Sequence, residues 1–141
     1  MNQSSRDIAD ILDMYGDSSG YDNDLIFSGA TRNIFLNKEP SKPINSVTIY
    51  DTPGMPPYQG LDSVGYEYPS IQIRVRNDTQ VNGWNLIEKI KDSLHGMHQI
   101  TVNGTLYSSI SCANGPALLE WDDNGNCVFF VNFNIQRRPS V

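Results

Sequence analysis

Cysteine is scarce in this chain of 141 residues, which carries only Cys112 and Cys127. Two cysteines this far apart form neither a CxxC redox pair nor a recognisable zinc motif. A disulfide or a nucleophilic thiol remains an alternative, but we expect both side chains to fill apolar space on strands. The chain must then be stable through its own hydrophobic core, and its length is that of one domain.

Basic residues are also few. The chain contains ten Lys and Arg but sixteen Asp and Glu, so the net charge is 10 − 16 = −6. This balance argues against a general nucleic-acid binder, because such proteins need a surplus of cations, and against binding to an anionic membrane surface. No apolar run approaches the ~20 residues of a membrane-spanning helix, and residues 1–10 lack the pattern of a secretory signal. We therefore expect a non-secreted protein with no membrane partner.

Hydrophobic periodicity predicts two amphipathic helices, one near the start of the chain around Ile8, Ile11 and Leu12, and one over 81–95. Apolar and β-branched runs typical of strands occupy 34–36, 47–50, 68–76, 100–102, 105–112, 118–121 and 127–135. Asn103-Gly104 predicts a hairpin between two of these runs, and 122–126 predicts a second turn. This order predicts a single α+β domain over 1–141, with a mostly antiparallel sheet and two helices packed on one face.

A long segment without periodicity separates two of the predicted strands, at about 51–68. It contains three prolines, three glycines and five large apolar or aromatic residues. Loops of this length in a compact domain are usually functional or disordered. The apolar residues favour a loop that docks on another surface.

Three motifs suggest chemistry but are incomplete. Asp51-Thr52-Pro53-Gly54 matches the DxxG segment of GTPases, yet no GxxxxGK[ST] phosphate loop precedes it. Residues 122–126 begin like a calcium loop, but Cys127 and Phe133 occupy the positions that need Gly and Glu. His95 and His98 have no third ligand nearby in the sequence. We therefore predict no catalytic residue, metal or cofactor, while a triad assembled from distant Ser, His and Asp stays an open alternative.

The layout of the whole chain resembles a known protein family. The segments that carry the resemblance are 49–54, 68–76 before the second helix, 122–126, and 128–133. Together they resemble the tail-terminator group of long-tailed bacteriophages, which are minor capsid or tail-completion proteins. The likeness runs over nearly all 141 residues, although each motif is loose.

The resemblance implies a structural role in the virion, at the junction between head and tail, after assembly in the host cytoplasm. It implies a six-membered ring that caps the tail tube, contacts the tube protein, and presents a surface to the head-completion protein. Genome DNA would pass through the ring without specific binding. The resemblance also implies one sheet with helices on one side, and it supplies no catalytic residue.

On this interpretation, eight residues are candidates for the interface. Aromatic and Met side chains are enriched in interface cores, and Arg residues can form ion pairs between subunits. The candidates are Met55, Tyr58, Tyr66, Tyr68, Arg74, Arg76, Arg137 and Arg138. The alternative is that some of the aromatic residues cover the sheet edge, and that the arginines meet carboxylates or solvent.

Three other functions stay open at this point. The chain could be a head-completion or stopper protein of the same neck. It could be a small non-catalytic protein directed at a host target, or a hydrolase with scattered Ser, His and Asp. The sequence leaves open whether the chain is monomeric or hexameric in solution.

Overall fold

The structure is a computed structural model that describes residues 1–16, 25–27, 32–57 and 65–140. Within these ranges, two helices and six strands follow one another. They are α1 (Ser4–Gly16), β1 (Ile34–Leu36), β2 (Ser46–Met55), β3 (Tyr68–Asn77), α2 (Gln80–Leu94), β4 (His98–Val102), β5 (Thr105–Trp121) and β6 (Cys127–Pro139). The expectation of an α+β fold with two helices is confirmed. Within the described residues, no helix is long and apolar enough to cross a membrane.

The six strands form one sheet in the order β1-β2-β3-β6-β5-β4. Four neighbouring pairs are antiparallel, but β1 and β2 are parallel, with Ile34 beside Val47 and Leu36 beside Ile49. The sheet is therefore mixed, and the expectation of a mostly antiparallel sheet needs this correction. The two strands are parallel because residues 37–45 cross back over the sheet before β2 begins, so that β2 runs in the same direction as β1.

A single hydrophobic cluster joins both helices to the sheet. The alternation expected for 68–76 is present, since Ile71, Ile73 and Val75 are buried while their neighbours Gln72 and Arg74 are partly exposed. Both helices contact β3. The cluster adds buried residues from α1, α2, β5 and β6, among them Ile8, Ile11, Leu12, Ile87, Ile90, Leu94, Ile110, Val131 and Phe133.

The predicted loop at 51–68 begins later than expected, because β2 continues to Met55. Asp51 pairs with Ile71 and Thr52 with Ser70, and after a register shift Met55 pairs with Tyr68. Pro53 lies within that shift, where a residue without a backbone N–H is tolerated. Residues 58–64, in the middle of the predicted loop, lie outside the described residues.

In the second half of the chain, the two turns form where the local sequence predicts them. Asn103 and Gly104 both have positive φ values, 51° and 77°, and connect β4 to β5 as the expected hairpin. The turn at 122–126 connects β5 to β6. β5 is longer than the two separate runs predicted, because it continues through Gly115 and Pro116 with several register shifts against β6.

Candidate functional site

Five of the eight predicted interface residues lie at one end of the sheet, where β2 ends and β3 begins. Met55 is 75% exposed and pairs with Tyr68, which is half-buried. Tyr66 lies under the guanidinium of Arg138, with 6.0 Å between the guanidinium carbon and the ring centroid. Tyr58 lies outside the described residues. This end therefore presents Met55 to solvent, with aromatic and cationic groups around it.

Arg137 lies at the same end, but its side chain is directed into the protein. One guanidinium nitrogen donates to the backbone carbonyl of Asn2 at 2.8 Å and to the hydroxyl of Tyr107 at 3.4 Å. The other forms an ion pair with Glu67 at 3.2 Å. Tyr107 in turn donates to the buried carboxylate of Asp7. The contacts of Arg137 are thus intramolecular. Together with the hydrogen bond from Tyr107 to Asp7, they link the start of α1 to β5 and β6.

Burial is the main reason why the pKa of Tyr107 is raised above its ordinary value, and the hydrogen bond to Asp7 adds to the effect. The phenol therefore stays protonated and remains a donor to the carboxylate. Asn103, in the β4–β5 turn, donates to the same carboxylate at 2.9 Å. The Asp7 carboxylate is satisfied by partners nearly one hundred residues away in the chain.

Arg76 lies at the opposite end of β3 and is also held within the protein. Its Nε donates to the carbonyl of Ile44 at 2.9 Å, and its Nη2 donates to the carbonyls of Pro40 and Pro43. These three acceptors belong to the segment that crosses from β1 to β2. The guanidinium therefore holds this crossing segment against the sheet.

Arg74 shares the same face of β3 but is less enclosed. Its Nε donates to the Gln72 side chain at 2.7 Å, and its guanidinium carbon lies 4.9 Å from the centroid of the Tyr50 ring. Burial, followed by the nearby Glu39 charge, raises the pKa of Tyr50 above its ordinary value. Arg74 thus remains available at the surface, while Arg76 does not.

Uncharged polar side chains form hydrogen bonds across the sheet on this face. Gln72 donates to Asn132 at 3.0 Å, and Asn132 donates to Asn114 at 2.6 Å. One step along the sheet, Ser70 donates to Asn134 at 3.0 Å. A face of this kind can pack on another protein without removing ionised groups from water.

The incomplete motifs of the sequence contain side chains that form hydrogen bonds within the protein. The carboxylate of Asp51 accepts hydrogen bonds from the Ser5 backbone N–H at 3.0 Å and from its hydroxyl at 2.7 Å, in the first turn of α1. An anion is favourable at a helix N-terminus. The ring of His95 accepts the backbone N–H of Cys112 at 2.9 Å. Among the residues that the structure describes, no group of three or more His, Cys, Asp or Glu is placed to hold a metal ion.

The Asp122 carboxylate stabilises the turn between β5 and β6. It accepts the backbone N–H groups of Asn124 at 2.9 Å and Asn126 at 2.8 Å, and the Asn126 side chain at 3.2 Å. The backbone N–H of Asn126 contributes most to holding the pKa of Asp122 below its ordinary value. This geometry confirms the turn predicted for 122–126.

A set of exposed apolar side chains was missed by the sequence interpretation. Val81 and Trp84 lie on α2, and Leu118, Leu119 and Trp121 lie at the end of β5. Two signals in the sequence could have found them. Val81 falls outside the helical stripe that Ile87, Ile90 and Leu94 form, and the consecutive pair Leu118-Leu119 does not alternate as a strand with one buried face requires.

Comparisons with known proteins agree with the fold. No curated protein matches the chain. The fold is similar to that of a chain in the virion of a native gene transfer agent particle, with a TM-score of 0.65 and 8% sequence identity, over 96% of this chain and 95% of that chain. The model of the bacteriophage tail terminator protein family matches residues 7–138. The chain therefore belongs to the bacteriophage tail terminator family and is a structural tail protein of the virion.

Proposed function

We propose that this protein caps the tail tube of a bacteriophage as a ring of six copies and joins the tube to the head-completion protein. The observation that carries the proposal is the family match, because it spans nearly the whole domain, from α1 to the end of β6. It favours a terminator over a stopper protein, a host-directed binding protein or a hydrolase. The proposed location is the head–tail junction, reached after assembly in the host cytoplasm.

The surfaces of the molecule suit such a role. Exposed apolar side chains occur at both ends of the sheet, with Met55 at one end and Trp121 at the other. A subunit placed between two different partners needs two such contact surfaces. The net charge of −6 would let genome DNA pass through the ring without specific binding, since like charges repel.

Among the predicted interface residues, Met55, Tyr66, Tyr68, Arg74 and Arg138 remain candidates for direct contact with a partner. Arg76 and Arg137 act on such contacts indirectly, by holding the crossing segment and α1 in place. Tyr58 belongs to the same predicted set as Met55 and stays a proposed contact residue.

Deletion of the gene from the phage tests the proposed function. We expect lysates that contain filled heads separate from tails, and tails of irregular length by electron microscopy. Complementation with the wild-type gene should restore joined particles, and mass spectrometry of these particles should find six copies per virion. Complete, infectious particles that lack the protein would refute the proposal.

A second experiment tests the contact residues. Because Met55 is largely exposed, Met55→Ser should leave the fold intact and reduce incorporation into particles. Ile44→Ser, at an exposed residue of the crossing segment, is the matched control. Equal incorporation of the two variants would exclude Met55 from the contact.

A further inference from the structure

β5 leaves a long part of the sheet edge open. β4 pairs with β5 only from Thr105 to Ser109, while β5 continues to Trp121. Beyond Ser109, no strand among the described residues covers the outer side of β5. Pro116 and the neighbouring register shifts make the middle of this edge unsuitable for regular pairing. The exposed edge therefore offers its side chains, rather than its backbone, to a partner.

The last residues of this edge form an apolar patch with α2. Trp84 packs edge-on against Phe129 with 5.7 Å between ring centroids, and Phe129 pairs with Leu118. Leu119 and Trp121 follow on β5, and Trp121 is 54% exposed. We name Trp84, Leu118, Leu119 and Trp121 the β5 patch. Adjoining exposed apolar side chains of this size mark a site of protein contact.

The β5 patch has an acidic border. Glu120 and Asp123 are exposed beside Trp121. Asp122 is kept ionised by the N–H groups of its turn, which lower its pKa. The nearby guanidinium of Arg76 is occupied by three carbonyls of the crossing segment. This end of β5 thus combines a large aromatic side chain with three carboxylates.

The opposite edge of the sheet, at β1, combines apolar surface with positively charged side chains. Beside β1 lies an open depression of about 550 Å³. Phe35 and Leu36 contribute half-buried apolar surface, and the guanidinium carbon of Arg32 lies 4.6 Å from the centroid of the Phe35 ring. We name as the β1 depression the residues Arg32, Phe35, Leu36, Lys38, Glu39, Pro40, Ser41 and Lys42. It carries three cations and a single carboxylate around an apolar floor.

We infer that the β5 patch of one copy of this chain docks in the β1 depression of the next copy. Trp121 would cover Phe35 and Leu36, while Glu120 and Asp123 meet Lys38 and Lys42. Opposite charges at facing positions fix the partner and its register. Because the two surfaces differ and lie at opposite edges of one sheet, the contact is head to tail and repeats from copy to copy, as ring closure requires.

This inference rests on the proposed ring and names the surfaces that form it. A charge-exchange experiment tests it. One variant, Glu120→Lys with Asp123→Lys, reverses the patch, and a second, Lys38→Glu with Lys42→Glu, reverses the depression. Each variant alone should remain at 15.8 kDa by light scattering at concentrations where the wild type assembles. An equimolar mixture should assemble again, because every contact between the two variants joins opposite charges.

Trp121→Ala tests the apolar part of the contact. We expect self-association at least about tenfold weaker than that of the wild type, as is usual for an aromatic residue at the centre of an interface. His98→Ala, at an exposed residue of β4 outside the β5 patch and the β1 depression, is the control and should assemble like the wild type. Far-UV circular dichroism checks that each variant is folded.

Three outcomes would overturn the inference: a wild type that is monomeric over the whole concentration series, a mixture that stays monomeric, or Trp121→Ala that assembles normally. These results are separable from the proposed function. Virions that contain the protein while the mixture stays monomeric would refute this contact alone. Assembly of the mixture, with the protein absent from virions, would refute the proposed function and support the contact.

Discussion

Replacing Arg76 with methionine tests whether this side chain holds the crossing segment against the sheet. A hydrogen bond to a charged group contributes roughly 1.5–3 kcal/mol, and Arg76 donates three of them. The full sum is not lost, because the acceptor carbonyls lie in a largely exposed segment where water can replace the guanidinium. Methionine also preserves much of the apolar packing of the arginine stem. We therefore expect a loss of about 2–4 kcal/mol in the free energy of unfolding.

Urea unfolding followed by tryptophan fluorescence measures this loss, and Arg74→Met is the matched control. Arg74 lies on the same face of the same strand, but it has one hydrogen bond to Gln72 and one contact with the Tyr50 ring. Its replacement should cost about 1 kcal/mol. If Arg76→Met were no more destabilising than Arg74→Met, the crossing segment would not depend on Arg76.

Three further substitutions test other contacts through thermal or urea unfolding. Gly83→Ala should lower the melting temperature despite the better helix propensity of alanine, because the new Cβ would lie 2.9 Å from the Phe129 ring in the core; a more stable variant would contradict this packing. Asp51→Ala should cost about 1–2 kcal/mol, since it removes the anion at the start of α1; an unchanged urea midpoint would exclude that role. Tyr107→Phe should cost about 1–3 kcal/mol by leaving one oxygen of the buried Asp7 carboxylate without the donor it has in the wild type. Because the pKa of Tyr107 in the folded protein is raised above its ordinary 10.0, its contribution to the free energy of unfolding should be complete below pH 10 and should decline as the pH rises further. A difference in stability between Tyr107→Phe and the wild type that grows above pH 10 would refute the assignment.

Those parts of the fold that depend on neighbouring residues were predictable from the sequence. Asn103-Gly104 determines its hairpin because both residues adopt positive φ values readily. The alternation of Ile71, Ile73 and Val75 determines which face of β3 is buried. The direction of β1 was not predictable, because it depends on where residues 37–45 cross the sheet.

The candidate site was predictable only in part, for a similar reason. Alternation along β3 places Arg74 and Arg76 on the same face, so the sequence treats them alike. Only the folded chain brings the carbonyls of the crossing segment over Arg76 and leaves Arg74 at the surface. In the same way, Trp121 is the last residue of a predicted strand, but its exposure depends on β4 ending opposite Ser109.

The position of β6 determines when the sheet can form during synthesis of the chain. This strand follows every other strand in sequence, yet it lies in the interior of the sheet, between β3 and β5. The first three strands and the β4–β5 hairpin are therefore made as two pieces of sheet with no strand pairing between them, while the ribosome is still translating. They can unite only once residues 127–139 have emerged. A premature stop before Cys127 would leave β3 and β5 without the strand that pairs with both, rather than a slightly shortened domain.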